Sequence, residues 1–211
     1  MTEVPNLSDA LDERALVGTF LKLPRREVVE VVALAGFDFA ICDLEHGQIS
    51  ERDARDAVLA GLAAAIPIIV RVPSGDAGLI NRLLECGAAG VQVPHVASVD
   101  AARTVRAAAY YPPAGRRSAS LAQPASRYGA VAAQRYVEAA NERVVAIGQL
   151  ETLQYDDSLP DIIAHLDVAF VGTFDLSVEA GCPGSTTDAR VRAVIAEIER
   201  AAASRSAYLG A

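Results

Sequence analysis

The sequence predicts an α/β fold of the (β/α)8 TIM-barrel class. Three observations carry this. Short, β-leaning apolar runs alternate with amphipathic helical patterns along the whole chain. Runs such as Ile66-Pro67-Ile68-Ile69-Val70 lack apolar–polar alternation, as expected of parallel strands buried on both faces. Polar residues stand at the ends of successive runs: Asp43, Glu45 and His46 at the second, Arg71 at the third, Gln92 and His95 at the fourth, Gln149 and Glu151 at the fifth, and Asp175 at the sixth. A barrel gathers such strand ends at one mouth, whereas an open sheet spreads them along an edge. A doubly wound open sheet is the competing architecture. Against its nucleotide-binding form, no strand run is followed by a Gly-rich phosphate loop.

The predicted strands cover residues 16–21, 37–44, 66–72, 90–96, 144–150 and 168–174, and a seventh run begins at Ala207. Between them, residues 25–35 place Val28, Val31, Val32 and Ala35 on one helical face, with Gly36 as the stop. Ser50-Glu51-Arg52-Asp53 matches a capping box and opens an Ala-rich helix to about residue 65. Asp76 caps a helix bearing Leu79, Ile80, Leu83 and Leu84 and ending at Gly87, and Ser98 caps one running to residue 109. Residues 128–141, 154–165 and 188–203 complete the helices, and Tyr111-Pro112-Pro113-Ala114-Gly115 is a break.

A chain of 211 residues predicts a single domain. With 52% hydrophobic residues and a formal charge of −8, it is neither a disordered chain nor a basic nucleic-acid binder. No apolar run approaches the roughly 20 residues of a bilayer span, so no membrane partner is expected. The polar start Met1-Thr2-Glu3-Val4-Pro5 predicts no secretory signal, and Cys42, Cys86 and Cys182 match neither a zinc spacing nor a disulfide framework. Together these predict a cytoplasmic protein.

Among the strand-end residues, His46 is a proton-transfer candidate, with Asp43 three residues earlier able to orient its imidazole. The bland alternative is a structural histidine. Glu151 and Asp175 each follow an apolar strand run, and two carboxylates completed by water and substrate oxygens suit Mg²⁺ or Mn²⁺. For Asp175, helix capping competes. Arg71 directly follows Ile68-Ile69-Val70 and needs an anionic partner, either a structural carboxylate or a substrate carboxylate or enolate.

These residues fall in ordered motifs: Asp43-Leu44-Glu45-His46, Val70-Arg71-Val72-Pro73, Val93-Pro94-His95-Val96, Tyr111 to Arg117, Gln149-Leu150-Glu151-Thr152 and Gly172-Thr173-Phe174-Asp175-Leu176-Ser177. In this order and spacing the chain resembles the HpcH/HpaI aldolase/citrate lyase family, on the side of its class II, metal-dependent pyruvate aldolases. The resemblance implies a lyase that reversibly cleaves a 4-hydroxy-2-oxo acid to pyruvate and an aldehyde. It implies a divalent metal, Mg²⁺ or Mn²⁺ with Co²⁺ or Zn²⁺ as substitutes, held by Glu151 and Asp175. It places Arg71 on the enolate oxygen, His46 in proton transfer with Asp43 behind it, and Gln149, Gly172, Thr173, Phe174 and Asp175 around the substrate. Glu85 falls where some members contribute an acid from a neighbouring subunit, and a homo-oligomer is expected.

Three departures stand out. Glu85 stands where those members have an aspartate. Thr173-Phe174 replaces the family's usual Pro-Ala, and the chain ends within the seventh run. The expectation is therefore a barrel truncated within its seventh strand. Two other readings stay open: a condensing relative that joins an enolate to a keto acid without metal, and a non-catalytic barrel that binds a keto acid or only assembles.

Overall fold

Two-sided burial makes the strands. In the computed structural model, which describes residues 4–23 and 25–211, β1 is Gly18–Leu21 and β2 is Phe39–Asp43. They are followed by β3 (Ile68–Arg71), β4 (Gly90–Val93), β5 (Val145–Leu150), β6 (Val168–Val171) and β7 (Tyr208–Gly210). β3, β4 and β5 are buried along their whole length, which the unalternating apolar runs predict. The strands follow chain order in a seven-stranded sheet, and helices fill the connections.

The chain divides into two compact units. One runs up to Gln92 and takes in Ala107–Val145; the other comprises Val93–Arg106 and Ala146–Ala211. In the first unit, β1 pairs with β2, β2 with β3 and β3 with β4, all parallel. The register sets Asp43 beside Arg71 and Arg71 beside Gln92, so three polar side chains share one row at neighbouring strand ends. Helices α2 (Arg26–Leu34), α3 (Glu51–Ala64) and α4 (Ala77–Cys86) pack in sequence, α2 on α3 and α3 on α4. The caps are those the sequence predicts. Ser50 and Asp53 form a reciprocal box, Asp76 Oδ1 accepts from the Leu79 amide at 2.7 Å, and Gly87 ends α4 at φ 113°. In the second unit, β5 pairs with β6 and β6 with β7, again parallel. There α7 (Leu159–Ile163) and α8 (Thr173–Glu179) both pack on α9 (Ala189–Arg205). Helix α5 (Val99–Ala109) follows β4, as expected.

Several expectations are corrected. Helix α1 (Leu7–Glu13) was not foreseen; it is capped by Asn6 and anchored by buried Leu7. The helix expected from residue 128 is α6, Ala133–Arg143, because Arg127 and Tyr128 occupy the left-handed region at the end of a 3₁₀ turn, Pro124–Gly129. The helix expected over 154–165 shrinks to α7. Its forerunner is drawn elsewhere: the Asp156 amide donates to the Ala97 carbonyl, Asp157 accepts from the Val99 amide, and Pro160 sits in the first turn. The sixth strand stops at Val171, so Thr173, Phe174 and Asp175 open α8 and do not end a strand. The described residues hold seven strands, without an eighth. The fold class is thus α/β with a seven-stranded parallel sheet in chain order, consistent with a TIM-barrel-like arrangement.

Candidate functional site

In the first unit, burial and charge meet at Asp43. Its side chain is fully buried at the end of β2. Oδ1 accepts from Arg71 Nε at 2.8 Å and from the backbone amides of Glu45 (3.1 Å) and His46 (3.2 Å). Oδ2 accepts from Arg71 Nη2 at 2.7 Å and from Lys22 Nζ. Burial opposes ionisation here, yet the hydrogen bonds from Arg71, Lys22 and the His46 amide prevail and hold the carboxyl well below the usual carboxylate range. A buried charge is tolerated when paired and hydrogen-bonded on this scale.

The Arg71 guanidinium is consequently fixed. It is held by Asp43 through two nitrogens, lies 3.3 Å from Glu45 Oε2, and stacks 4.8 Å from the centroid of the Phe20 ring. A guanidinium locked in this way presents a preset cationic surface. Of the two partners foreseen for Arg71, the structure supplies the carboxylate.

His46 follows in the turn after β2, and the structure corrects its expected pairing. Asp43 takes the backbone amide of His46, not its imidazole. The ring is 59% exposed, and the carboxylate facing it is Glu45, whose Oε2 lies 3.8 Å from Nε2. Gly47 makes the turn feasible: a Cβ there would stand 2.2 Å from the Asp43 carbonyl oxygen. Lys22 and Glu45, neither of them expected to take part, complete the cluster. Lys22 carries the signal that singled out Arg71, a charge directly after an apolar strand. Glu85 lies buried on α4, and Gln92 is fully buried on β4.

In the second unit the corresponding group is Glu151, directly after β5 and buried. Its Oε1 accepts from the His95 amide at 2.7 Å and lies 3.1 Å from His95 Nδ1. Its Oε2 accepts from Gln149 Nε2 at 2.6 Å. Among the described residues no lysine or arginine pairs with it. His95 reaches Glu151 through a left-handed backbone (φ 53°), and its ring is 69% exposed. Gly172, on the other side, leaves the carboxylate its space: a Cβ there would stand 2.4 Å from both Cβ and Oε2 of Glu151. Gly172 is also the N-cap of α8, with no side-chain cap on that helix. Thr173, Phe174 and Asp175 form the first turn, Phe174 being largely exposed and Asp175 half-buried.

This donor set fits a divalent cation. A buried carboxylate without a fixed lysine or arginine partner invites one, and carboxylate oxygens can accept more than one bond each. No group of three or more His, Cys, Asp and Glu side chains stands ready for a metal among the described residues. Glu151 and Asp175 would therefore rely on water and substrate oxygens for the other positions, as Mg²⁺ and Mn²⁺ sites do.

Among the described residues no helix is long and apolar enough to cross a membrane. The sequence model of the family described as HpcH/HpaI aldolase/citrate lyase matches residues 16–209. A hydroxypyruvate/pyruvate aldolase of Sagittula stellata is 33% identical over 185 residues, covering 85% of this chain and 71% of the relative. A 4-hydroxy-2-oxovalerate aldolase of Novosphingobium aromaticivorans is 35% identical over 191 residues, covering 88% and 71%. Among solved structures, an HpcH/HpaI aldolase from Desulfitobacterium hafniense DCB-2 superposes with TM-score 0.90 at 28% identity, over 96% of this chain and 80% of that one. A citrate synthase superposes with TM-score 0.86 at 28% identity, over 97% and 80%.

Proposed function

The chain belongs to the HpcH/HpaI aldolase/citrate lyase family, and from that premise we propose that it is a class II aldolase cleaving a 4-hydroxy-2-oxo acid reversibly to pyruvate and an aldehyde. The observation that carries the reading is Glu151: a buried carboxylate held by an amide and a carboxamide, with room kept by Gly172 and, among the described residues, no lysine or arginine paired with it. Glu151 and Asp175 would hold Mg²⁺ or Mn²⁺, which when bound supplies Lewis-acid polarisation of the keto group.

The chain's own residues do the rest. Backbone amides of Thr173, Phe174 and Asp175 hold the substrate carboxylate at the amino end of α8, which no side chain caps. His46 takes the proton of the C4 hydroxyl; as the C3–C4 bond breaks, the electron pair passes into the enolate of pyruvate. Arg71, immobilised by Asp43, stabilises the developing oxyanion without having to reorganise. The imidazolium of His46 then gives up the proton it took, directly or through water, and protonation at C3 completes pyruvate. Asp43 and Glu45 act as positioning residues, Asp43 for Arg71 and the turn, Glu45 for the exposed imidazole. The same proposal includes a single aldolase domain, a homo-oligomer, and a contribution of Glu85 to a neighbouring subunit.

The test is pyruvate release from 4-hydroxy-2-oxovalerate, read with lactate dehydrogenase. Release that needs Mg²⁺ or Mn²⁺ and stops with chelator supports the reading; a metal-replete enzyme releasing none contradicts it. The likeness to a citrate synthase favours a second reading, condensation of an enolate with a keto acid. Product formation from pyruvate or another enolate donor and oxaloacetate, undiminished by chelator, would select it.

A further inference from the structure

We infer that Glu179 is a positioning residue: it fastens the turn after Glu151 to α8 and so holds Glu151 against the helix face that carries Asp175. The inference rests on the reading of Glu151 and Asp175 as ligands of a divalent cation and deepens it. Two carboxylates on different elements serve one ion only when their separation is fixed.

Helix periodicity supplies the first half of the argument. Gly172, the N-cap of α8, and Asp175 and Glu179 within it are spaced three and four residues apart, so they share one helix face. The two outer members of this stripe both meet the segment that carries Glu151. Gly172 donates its amide to the Leu150 carbonyl at 3.1 Å, and a Cβ there would stand 2.4 Å from Glu151 Oε2. Glu179 reaches the two residues after Glu151. Its Oε1 accepts from Thr152 Oγ1 at 3.2 Å and its Oε2 from the Leu153 amide at 2.8 Å. Asp175 stands between these contacts, on the face along which residues 150–153 run.

Hydrogen bonding makes Glu179 the tie. Glu151 lies just past the end of β5, where the pairing with β6 stops at Leu150. Thr152 Oγ1 also accepts from the Gln154 amide at 3.4 Å, closing a small turn around Leu153. Tyr155 Oη, in the same loop, is buried and finds no hydrogen-bond partner among the described residues. The Asp156 amide is drawn to the Ala97 carbonyl. Among the described residues, the hydrogen bonds that join residues 152–155 to α8 are thus the two to Glu179. Both of its oxygens are engaged on the loop, and no third acid joins Glu151 and Asp175 in a metal-binding group among the described residues. That sets Glu179 apart from the ligands. It is exposed, so its loss removes little packing from the fold.

The experiment follows Mn²⁺ binding by electron paramagnetic resonance in wild type, Glu179→Ala and Glu179→Gln. Amide hydrogen exchange over residues 151–155 is measured on the metal-free proteins, with thermal melts alongside. Glu179→Ala is expected to weaken Mn²⁺ binding roughly tenfold, the lower end of what outer contacts of metal ligands contribute. Exchange at Leu153 should quicken by about tenfold, the scale of one lost charge-assisted hydrogen bond, while the melt stays close to that of wild type. Glu179→Gln keeps both contacts, its carbonyl accepting from Leu153 and its amide donating to Thr152. It should restore binding and exchange to within about threefold of wild type. An Ala variant in which either binding or exchange matches wild type overturns the inference. A Gln variant as weak in Mn²⁺ binding as Ala also overturns it, because the charge of Glu179 would then be the cause. If the wild type binds no Mn²⁺, the cation reading fails by itself. The tie is then judged by exchange alone: quickening in Glu179→Ala that Glu179→Gln reverses supports it, and equal exchange in all three proteins overturns it.

Discussion

Gly172→Ala isolates the role of Glu151. The backbone at Gly172 is ordinary for any residue, φ −82°, so the effect of the added methyl is purely steric. Built there, the Cβ stands 2.4 Å from Cβ and Oε2 of Glu151, and ordinary contact begins only at 3.4 Å. Glu151 must therefore retreat by about 1 Å, and a displacement of that size at a reacting centre costs on the order of 10²-fold in rate. The accompanying overpacking is worth about 1–3 kcal/mol. For a chain of this size that is a fall in melting temperature of very roughly 2–12 °C, leaving the variant folded at assay temperature. The assay is pyruvate release across a Mn²⁺ titration, with circular dichroism on the same samples. We expect kcat/KM reduced about 10²-fold and a weaker response to Mn²⁺, with the far-ultraviolet spectrum unchanged. A folded variant with activity and metal response within about threefold of wild type would refute the reasoning.

His46→Ala should slow aldol cleavage by roughly 10²–10⁴-fold, the usual scale for losing an acid–base group, while the Mn²⁺ dependence stays as in wild type, since His46 is no metal ligand; loss of that dependence would reassign it. Asp43→Asn removes the two-nitrogen carboxylate partner of buried Arg71 and leaves it with Glu45, and a destabilisation of up to about 3 kcal/mol is expected from chemical denaturation. Acid sensitivity follows from the same group. Because the folded-state pKa of Asp43 is depressed, and that of Asp38 is held to about 2 by Arg14 and the Val17 amide, their stabilisation is complete above the unfolded value near 3.9 and is lost as pH falls. Thermal melts should thus be flat between about pH 5 and 7 and decline below about pH 4, with Asp43→Asn reducing the decline. Finally, burial pushes the Cys42 thiol up to about 12 and raises that of buried Cys86, while Cys182 is partly exposed. A disulfide reagent should modify Cys182 in the native chain and all three cysteines after denaturation.

Much of this was legible because one signal is physically direct. A charge closing a doubly buried apolar run must find a partner or a ligand, and Asp43, Arg71 and Glu151 all obey it. Caps were equally readable, since Ser50–Asp53, Asp76 and Gly87 act through local hydrogen bonds and backbone freedom. What escaped depends on tertiary context. The strand-to-helix switch at Gly172 is hidden because Val171-Gly172-Thr173-Phe174 reads as one apolar run. The pairing of Asp43 with Arg71 requires the parallel register of β2 on β3, which sequence spacing does not encode. The expectation of Asp43 behind the imidazole failed for that reason: Arg71 and Lys22 claim both carboxylate oxygens first. His95 adopts a left-handed backbone that histidine does not advertise, and it does so to place its amide on Glu151.

The central claim is that this chain forms the enolate of pyruvate with the help of a divalent cation at Glu151. Its most direct test is proton NMR of pyruvate in D₂O with the purified chain, free of chelator, with Mg²⁺ or Mn²⁺ and then with EDTA, beside Glu151→Gln. The account predicts loss of the methyl signal by exchange with metal present, abolished by EDTA and by Glu151→Gln. Exchange that persists in EDTA, or in Glu151→Gln at the wild-type rate, would contradict it, as would a metal-replete chain that exchanges nothing.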